Sequence, residues 1–294
     1  MVALLSNMHT WGRMIKFSHS IFALPFALLA TFLAARPGLP EWGQLGLIVA
    51  AMVAARSAAM TFNRLADINY DALNPRTADR ALPRGIISSA AAWLFFLAAC
   101  VAFALVCGGF WLFYHNPWPT ILCLPTIGLL CLYSYTKRFT QWSHLALGAA
   151  IACAPVAAWI AINPATLGPP TWLLMVAVSF WIAGFDVIYA CQDTDFDHSV
   201  GLFSIPARLG VASALWLARV FHLITVVALL GVGYTGKLGT LYYLGVGCVA
   251  VLLIVENALV RPNNLSRVNV AFFTVNSIVG LILGILGILD IILT

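Results

Sequence analysis

The sequence predicts an all-α, polytopic membrane protein of about nine transmembrane helices. Three observations carry this reading. Of 294 residues, 62% are hydrophobic and only 9% charged, with a mean hydropathy of +0.97, whereas a soluble domain carries roughly 25% charged residues. The apolar residues fall in runs of about 20, the length that crosses a hydrocarbon core of roughly 30 Å as a helix. The basic residues sit mostly in alternate connecting segments, the asymmetry that orients membrane helices.

The runs span residues 18–35, 44–62, 89–112, 118–135, 142–162, 171–191, 213–233, 238–258 and 271–292. The first, in "MIKFSHSIFALPFALLATFLAA", has the basic flank, apolar core and small-residue end of a secretory signal. Its flank lies well into the chain, Pro25 interrupts its core and more runs follow, so it reads as a retained first helix. Pro125 and Pro155 interrupt later runs, which is tolerable where neighbouring helices satisfy the freed backbone groups. Gly is frequent in 231–247 and 280–287, as close helix packing in lipid requires. Cys100, Cys107, Cys123, Cys131, Cys153, Cys191 and Cys248 lie in or beside apolar runs with no C-x-x-C. They read as small packing residues, neither disulfide nor metal ligands.

With the N-terminus inside, the inner segments hold Arg13, Lys16, Arg64, Arg76, Arg80, Arg84, Lys137, Arg138, Arg208, Arg219, Arg261 and Arg267, and the outer ones only Arg36 and Lys237. The expectation is an integral, multi-pass protein of a bacterial or archaeal inner membrane, N-terminus in and C-terminus out, with the inner loops cytoplasmic. Scattered basic residues without a stripe exclude a nucleic-acid partner.

The acids are more telling. Asp67, Asp71, Asp79, Asp186, Asp193, Asp195 and Asp197 fall in two regions, at the inner ends of the second and sixth runs. Two such regions four helices apart on one side suggest a duplication within a single domain, 1–294. The repeated four-helix units would be about 15–140 and 141–260, followed by a last helix. In "NRLADINYD", Asn63, Asp67 and Asp71 are spaced to share one helix face, and Tyr189, Asp193 and Asp197 repeat the spacing. Like charges four apart repel, more so near a membrane. One such cluster is equally explained as a solvated loop balancing arginines. Two matched clusters in an acid-poor chain favour a cation between the carboxylates. Oxygen donors without His or Cys at that spacing point to Mg²⁺, which keeps waters and bridges to substrate phosphates.

Arg76, Arg80 and Arg84 follow the first cluster, Lys137 and Arg138 lie at the next inner loop, and Arg208 follows the second cluster. A divalent ion held by Asp with Arg and Lys around it suits a diphosphate. Arg13, Arg261 and Arg267 read as topology signals and lipid-headgroup contacts. Arg56 differs, lying two helical turns before Asn63 on nearly the same face. A buried Arg in a membrane helix implies a partner, here a carboxylate of substrate or of a cluster Asp. Asp186, seven residues before Asp193, is either that structural partner or a desolvated general base; the residues leave both open. His9, His19, His115, His144, His198 and His222 show no metal spacing, and His19 and His198 read as structural.

"NRLADINYDALNPRTADRALPRG" resembles the N-x-x-x-D-x-x-x-D motif of the UbiA family of membrane prenyltransferases, and "DVIYACQDTDFDHSVGLFSIPARLG" its second, D-x-x-x-D, motif. "KFSHSIFALPFALLA" is similar to the family's first helix and "YSYTKRFTQWSHLALG" to its fourth-to-fifth-helix loop, so the likeness covers most of residues 13–210. The resemblance implies nine helices around a central cavity open sideways to the bilayer. It places Mg²⁺-diphosphate at Asn63, Asp67 and Asp71 and at Asp193 and Asp197, with Lys137, Arg76 and Arg64 as candidates for the diphosphate oxygens and Arg80 close by. Where many members have Asn-Asp, this chain has Asn63-Arg64.

The activity implied is polyprenyl transfer from polyprenyl diphosphate to an aromatic acid through an allylic carbocation. Arg56 would bind the acceptor carboxylate and, with Asp186, be catalytic. "SHSIFALPFA" and "NRLADINYD" are most similar to members acting on 4-hydroxybenzoate for ubiquinone, with a dihydroxynaphthoate of a menaquinone route as the alternative. Haem, chlorophyll and geranylgeranylglyceryl phosphate chemistries share the metal site. A transporter fits less well, because the acids lie at one membrane face rather than at the midplane.

Overall fold

The structure, a computed structural model, describes residues 11, 12, 14 and 23–294. Arg13, Lys16, His9, His19 and the first five residues of the first apolar run lie outside the described residues. All repeating structure among the described residues is helical: α1 (Leu24–Ala35), α2 (Trp42–Ala66), α3 (Ile68–Leu73), α4 (Ser89–Tyr114), α5 (Trp118–Thr136), α6 (Ser143–Ile162), α7 (Pro169–Ala190), α8 (Thr194–Ser199), α9 (Ile205–Thr235), α10 (Thr240–Leu259) and α11 (Asn276–Leu293). Eight helical spans among the described residues are long and apolar enough to cross a membrane, and α1 is a shorter apolar helix. The nine apolar runs thus each contain a helix. The main departure is α9, which starts at Ile205 rather than near residue 213. Ser204 caps it by accepting from the Ala207 N–H, and Gly210, at φ 78°, breaks its first turns from the rest. Arg208 therefore lies on a helical turn, with its guanidinium 4.1 Å from the Phe203 ring centre.

The described residues form two compact units, one containing 49–135 and the other 23–48 with 136–294. In the first unit, small residues of α2 make room for α4 and α5: Ala54 lies buried with Phe103, Cys107 and Cys123, and Ala58 with Phe96 and Ala99. Close approach through Ala is how helices associate where no water drives them together. The opposite side of α4 exposes Leu94, Val101, Leu105 and Leu112, a stripe suited to lipid. Apolar exposure on this scale would be a liability in water.

In the second unit α7 is the most enclosed helix, with Leu174, Ala177, Val178 and Ala183 at 0% exposure, packed against α6 and α9. Glycines set these contacts. A Cβ at Gly148 would strike the Ser179 carbonyl, and one at Gly184 the His222 ring. The expected glycine-rich stretches behave alike: a Cβ at Gly284 would lie 2.6 Å from Pro25 Cβ, and one at Gly233 2.8 Å from the Tyr243 ring. All seven cysteines are free, as their placement in apolar runs predicts.

Polar cross-links complete the second unit. Asn276 accepts from Trp181 Nε1 at 2.7 Å and donates to Glu256 Oε1 at 2.8 Å, with all three residues essentially unexposed. Asp290 accepts from the backbone N–H groups of Gly239, Leu241 and Tyr242, satisfying the orphan donors where α10 begins.

Candidate active site

The first acidic motif does not lie on one unbroken helix. α2 ends at Ala66, Asp67 takes φ −99° and ψ 8°, and the six-residue α3 follows. The i to i−4 bonds nevertheless continue, from Asp67 N to Asn63 O at 3.0 Å and from Asp71 N to Asp67 O at 2.7 Å. The backbone hydrogen-bond pattern thus runs on through the break between the two helices.

The second motif is built in the same way. A 3₁₀ turn, Cys191–Asp193, ends in Asp193 at φ −105° and ψ 10°, and the six-residue α8 follows. In each motif one Asp sits at the junction and another is the fourth residue of the short helix, Asp71 in α3 and Asp197 in α8. Asp71, Asp193 and Asp197 are buried.

Asp71 and Asp197 each meet a base. Arg80 Nη1 lies 2.6 Å and 2.7 Å from the two oxygens of Asp71, and the buried Arg64 lies 3.8 Å from the same carboxylate. Asn63 Nδ2 donates to Asp67 Oδ2 at 3.0 Å and reaches Ser134 Oγ at 3.5 Å. Lys137 Nζ lies 2.7 Å from Asp197 Oδ1, and its own carbonyl accepts from the Phe203 N–H at 2.7 Å. Lys137 is thus tied to the second motif through side chain and main chain. Arg76 is exposed, and Arg84 pairs with Asp79 on the surface at 3.6 Å.

Arg56 lies on α2 within electrostatic reach of Tyr133, which also acts on Arg64 and Asp67 and bonds to Ser134. Asp186 pairs with His144 of α6, Nδ1 to Oδ2 at 2.7 Å. Tyr133, Ser134 and His144 carried no signal of their own. The first two do lie in the stretch "YSYTKR", which the basic residues had already marked.

The donors fit Mg²⁺ by their chemistry. Both oxygens of the fully buried Asp197 lack a hydrogen bond among the described residues, the Lys137 ion pair aside. Those spare lone pairs are what a cation would use. Among the described residues no three His, Cys, Asp or Glu converge into a closed metal cage. An ion held by one or two carboxylates, waters and substrate phosphates needs no such cage.

A model of the UbiA prenyltransferase family matches residues 23–278. The chain belongs to this family. Among its UbiA relatives, the 4-hydroxybenzoate octaprenyltransferase of Marinobacter nauticus is 33% identical over 80% of this chain and 78% of that protein. The enzyme of the same name from Alkalilimnicola ehrlichii is 30% identical over 90% and 88%. A UbiA homolog from Aeropyrum pernix K1, solved in its apo form, superposes with a TM-score of 0.82 at 31% identity, covering 92% of this chain and 98% of that one. A UbiA homolog from Archaeoglobus fulgidus, solved with DMAPP and Mg²⁺, shares the fold at a TM-score of 0.73 and 18% identity, over 97% and 100% of the two chains. This UbiA-family chain is a membrane-embedded prenyltransferase with many membrane-spanning helices.

Proposed function

We propose that the protein transfers a polyprenyl group from polyprenyl diphosphate to the ring of 4-hydroxybenzoate, with Mg²⁺ as cofactor. The observation that carries this is the repeated motif geometry, in which two identically built acidic junctions each hold a buried carboxylate against a cation. An all-oxygen donor set beside guanidinium and ammonium groups suits a metal-diphosphate. The relatives named for 4-hydroxybenzoate, aligned over most of their length, support that acceptor.

Asn63, Asp67 and Asp71 in the first unit, and Asp193 and Asp197 in the second, would hold Mg²⁺. The ion would supply charge to the diphosphate leaving group. Arg64, Arg80 and Lys137, already held at the carboxylates, and the exposed Arg76 bind diphosphate oxygens through charge-assisted hydrogen bonds. As the allylic C–O bond breaks, these cations neutralise the departing diphosphate. Aromatic side chains keep water from the allylic cation. The chain's ten Trp and eighteen Phe would supply that shielding. Arg56 orients the acceptor by its carboxylate, and Asp186 receives the proton that the aromatic ring loses as the new C–C bond forms. The second unit repeats the motif of the first, which supports an origin by duplication. The motif loops face the cytoplasm of a prokaryotic inner membrane, an orientation supported by the inward bias of Arg and Lys.

The test incubates membranes carrying the protein with Mg²⁺, labelled polyprenyl diphosphate and either 4-hydroxybenzoate or a dihydroxynaphthoate. Prenylated hydroxybenzoate is the expected product. Prenylated naphthoate alone would overturn the acceptor while keeping the chemistry, and no Mg²⁺-dependent release of diphosphate in either tube would overturn the reading.

A further inference from the structure

We infer that His144 is a positioning residue that holds Asp186 in the orientation needed to take a proton from the acceptor, an inference that rests on the reading of Asp186 as base. The geometry is a three-element relay inside one compact unit. The backbone N–H of Ile205, at the start of α9, donates to His144 Nε2 at 3.4 Å. A nitrogen that accepts carries no proton, so the proton of the neutral ring sits on Nδ1. Nδ1–H then donates to Asp186 Oδ2 at 2.7 Å. The N–H used at Ile205 belongs to the first turn of a helix, where such groups have no intrahelical partner. The backbone of one helix thereby sets the tautomer of a histidine on a second, which orients a carboxylate on a third.

Burial agrees with these roles. The His144 side chain is 4% exposed and the Asp186 side chain 23%. The histidine is enclosed, and the carboxylate keeps an open side. α6 carries His144 in its first turn and lies close against α7 through Gly148, where a Cβ would collide with the Ser179 carbonyl. That contact keeps the two helices in register. When the carbon–carbon bond to the acceptor forms, the proton leaving the ring passes to the Asp186 carboxylate. His144 neither gains nor loses a proton and does not touch the acceptor.

Two substitutions separate this role from a merely structural one. His144→Asn retains a side-chain donor at the position of Nδ1 and loses the acceptor for Ile205. His144→Gln reaches the position of Nε2 and loses the donor to Asp186. Steady-state prenylation of 4-hydroxybenzoate is measured in membranes for both, for Asp186→Asn and for His144→Gln/Asp186→Asn. Protein amount and thermal stability are checked alongside. His144→Asn should keep kcat within about 3-fold of the parent, and His144→Gln should lower it by roughly 10-fold or more with both KM values unchanged. Asp186→Asn should lower kcat by about 100-fold, the usual weight of a general base. The double variant should be no slower than Asp186→Asn, because residues acting as a unit are not additive.

Activity kept by His144→Gln and lost by His144→Asn would assign the histidine to holding Ile205 and overturn the inference. Equal activity of the two, or equal loss of both with a fall in stability, overturns it as well. Parent-level turnover of Asp186→Asn beside an impaired His144→Gln would instead show that Asp186 is not the base, a failure of the functional reading visible in its own variant.

Discussion

Replacing Lys137 with Met removes the cation from a carboxylate that is 1% exposed and 2.7 Å away. Breaking a buried ion pair by deleting one partner costs about 3–5 kcal/mol, because the other charge stays buried and uncompensated. The Lys137 side chain is itself 35% exposed, so solvent already screens part of the attraction, and the expected loss is about 2–3 kcal/mol. At roughly 2–4 °C per kcal/mol for a chain of this size, the midpoint of thermal unfolding should fall by about 5–10 °C. Met keeps the length and apolar bulk of the lysine stem, so packing is little changed. Adding Asp197→Asn removes the stranded charge, and the double variant should recover most of the loss, giving a coupling of about 2 kcal/mol. Unfolding followed by tryptophan fluorescence in detergent micelles reads all four proteins. The same experiment tests the metal. With no ammonium beside it, Asp197 should draw more stabilisation from Mg²⁺ in Lys137→Met than in the parent, up to about 2.7 kcal/mol when the ion is 100-fold above its dissociation constant. Coupling below about 0.5 kcal/mol, together with an Mg²⁺ response no larger than the parent's, would refute both the pair and the cation site.

Asp67→Ala and Asp193→Ala should each lower Mg²⁺-dependent prenylation by at least about 100-fold while the protein is still produced in the membrane, since each removes a carboxylate that counters the charge of metal and diphosphate; turnover within about 3-fold of the parent in either would sink the metal assignment. Arg56→Ala should raise the KM for 4-hydroxybenzoate by roughly 10- to 100-fold, the value of about 1.5–3 kcal/mol for a charged hydrogen bond, and leave the KM for polyprenyl diphosphate alone; an equal rise in both would move Arg56 to the diphosphate. Gly184→Ala should destabilise the protein by about 1–3 kcal/mol through overpacking, because its new methyl group meets the His222 ring. Combining it with His222→Ala should relieve much of that loss, and a strictly additive double variant would contradict the contact.

The spans were legible from the chain because each depends on neighbours in sequence. A run of about 20 apolar residues must satisfy its backbone internally in lipid, and a helix is the one-segment way to do it. The glycines of 280–287 were legible for a related reason: α11 presents Gly284 and Gly287 to Pro25 and Leu29 of α1. Where the reading was off, local geometry explains it. Spacing alone draws a straight helix through Asn63, Asp67 and Asp71, whereas Asp67 and Asp193 each end one helix and start another. In the same way, Ser204 and Pro206 begin α9 before the apolar run that announces it.

The two acidic motifs, and with them the family, were readable in one dimension because each motif occupies consecutive turns. Their partners were not. Asp197 meets Lys137, sixty positions earlier, Asp186 meets His144 across α6 and α7, and Trp181 meets Asn276 across 95 positions. Hydropathy and periodicity contain nothing about which helix lies beside which. The sequence by itself determined the helices, their apolar faces and the two clusters of carboxylates. Only the tertiary structure decided which cations meet Asp71 and Asp197 and which histidine pairs with Asp186, because a side-chain hydrogen bond reaches about 3 Å and helix packing alone brings such distant residues that close.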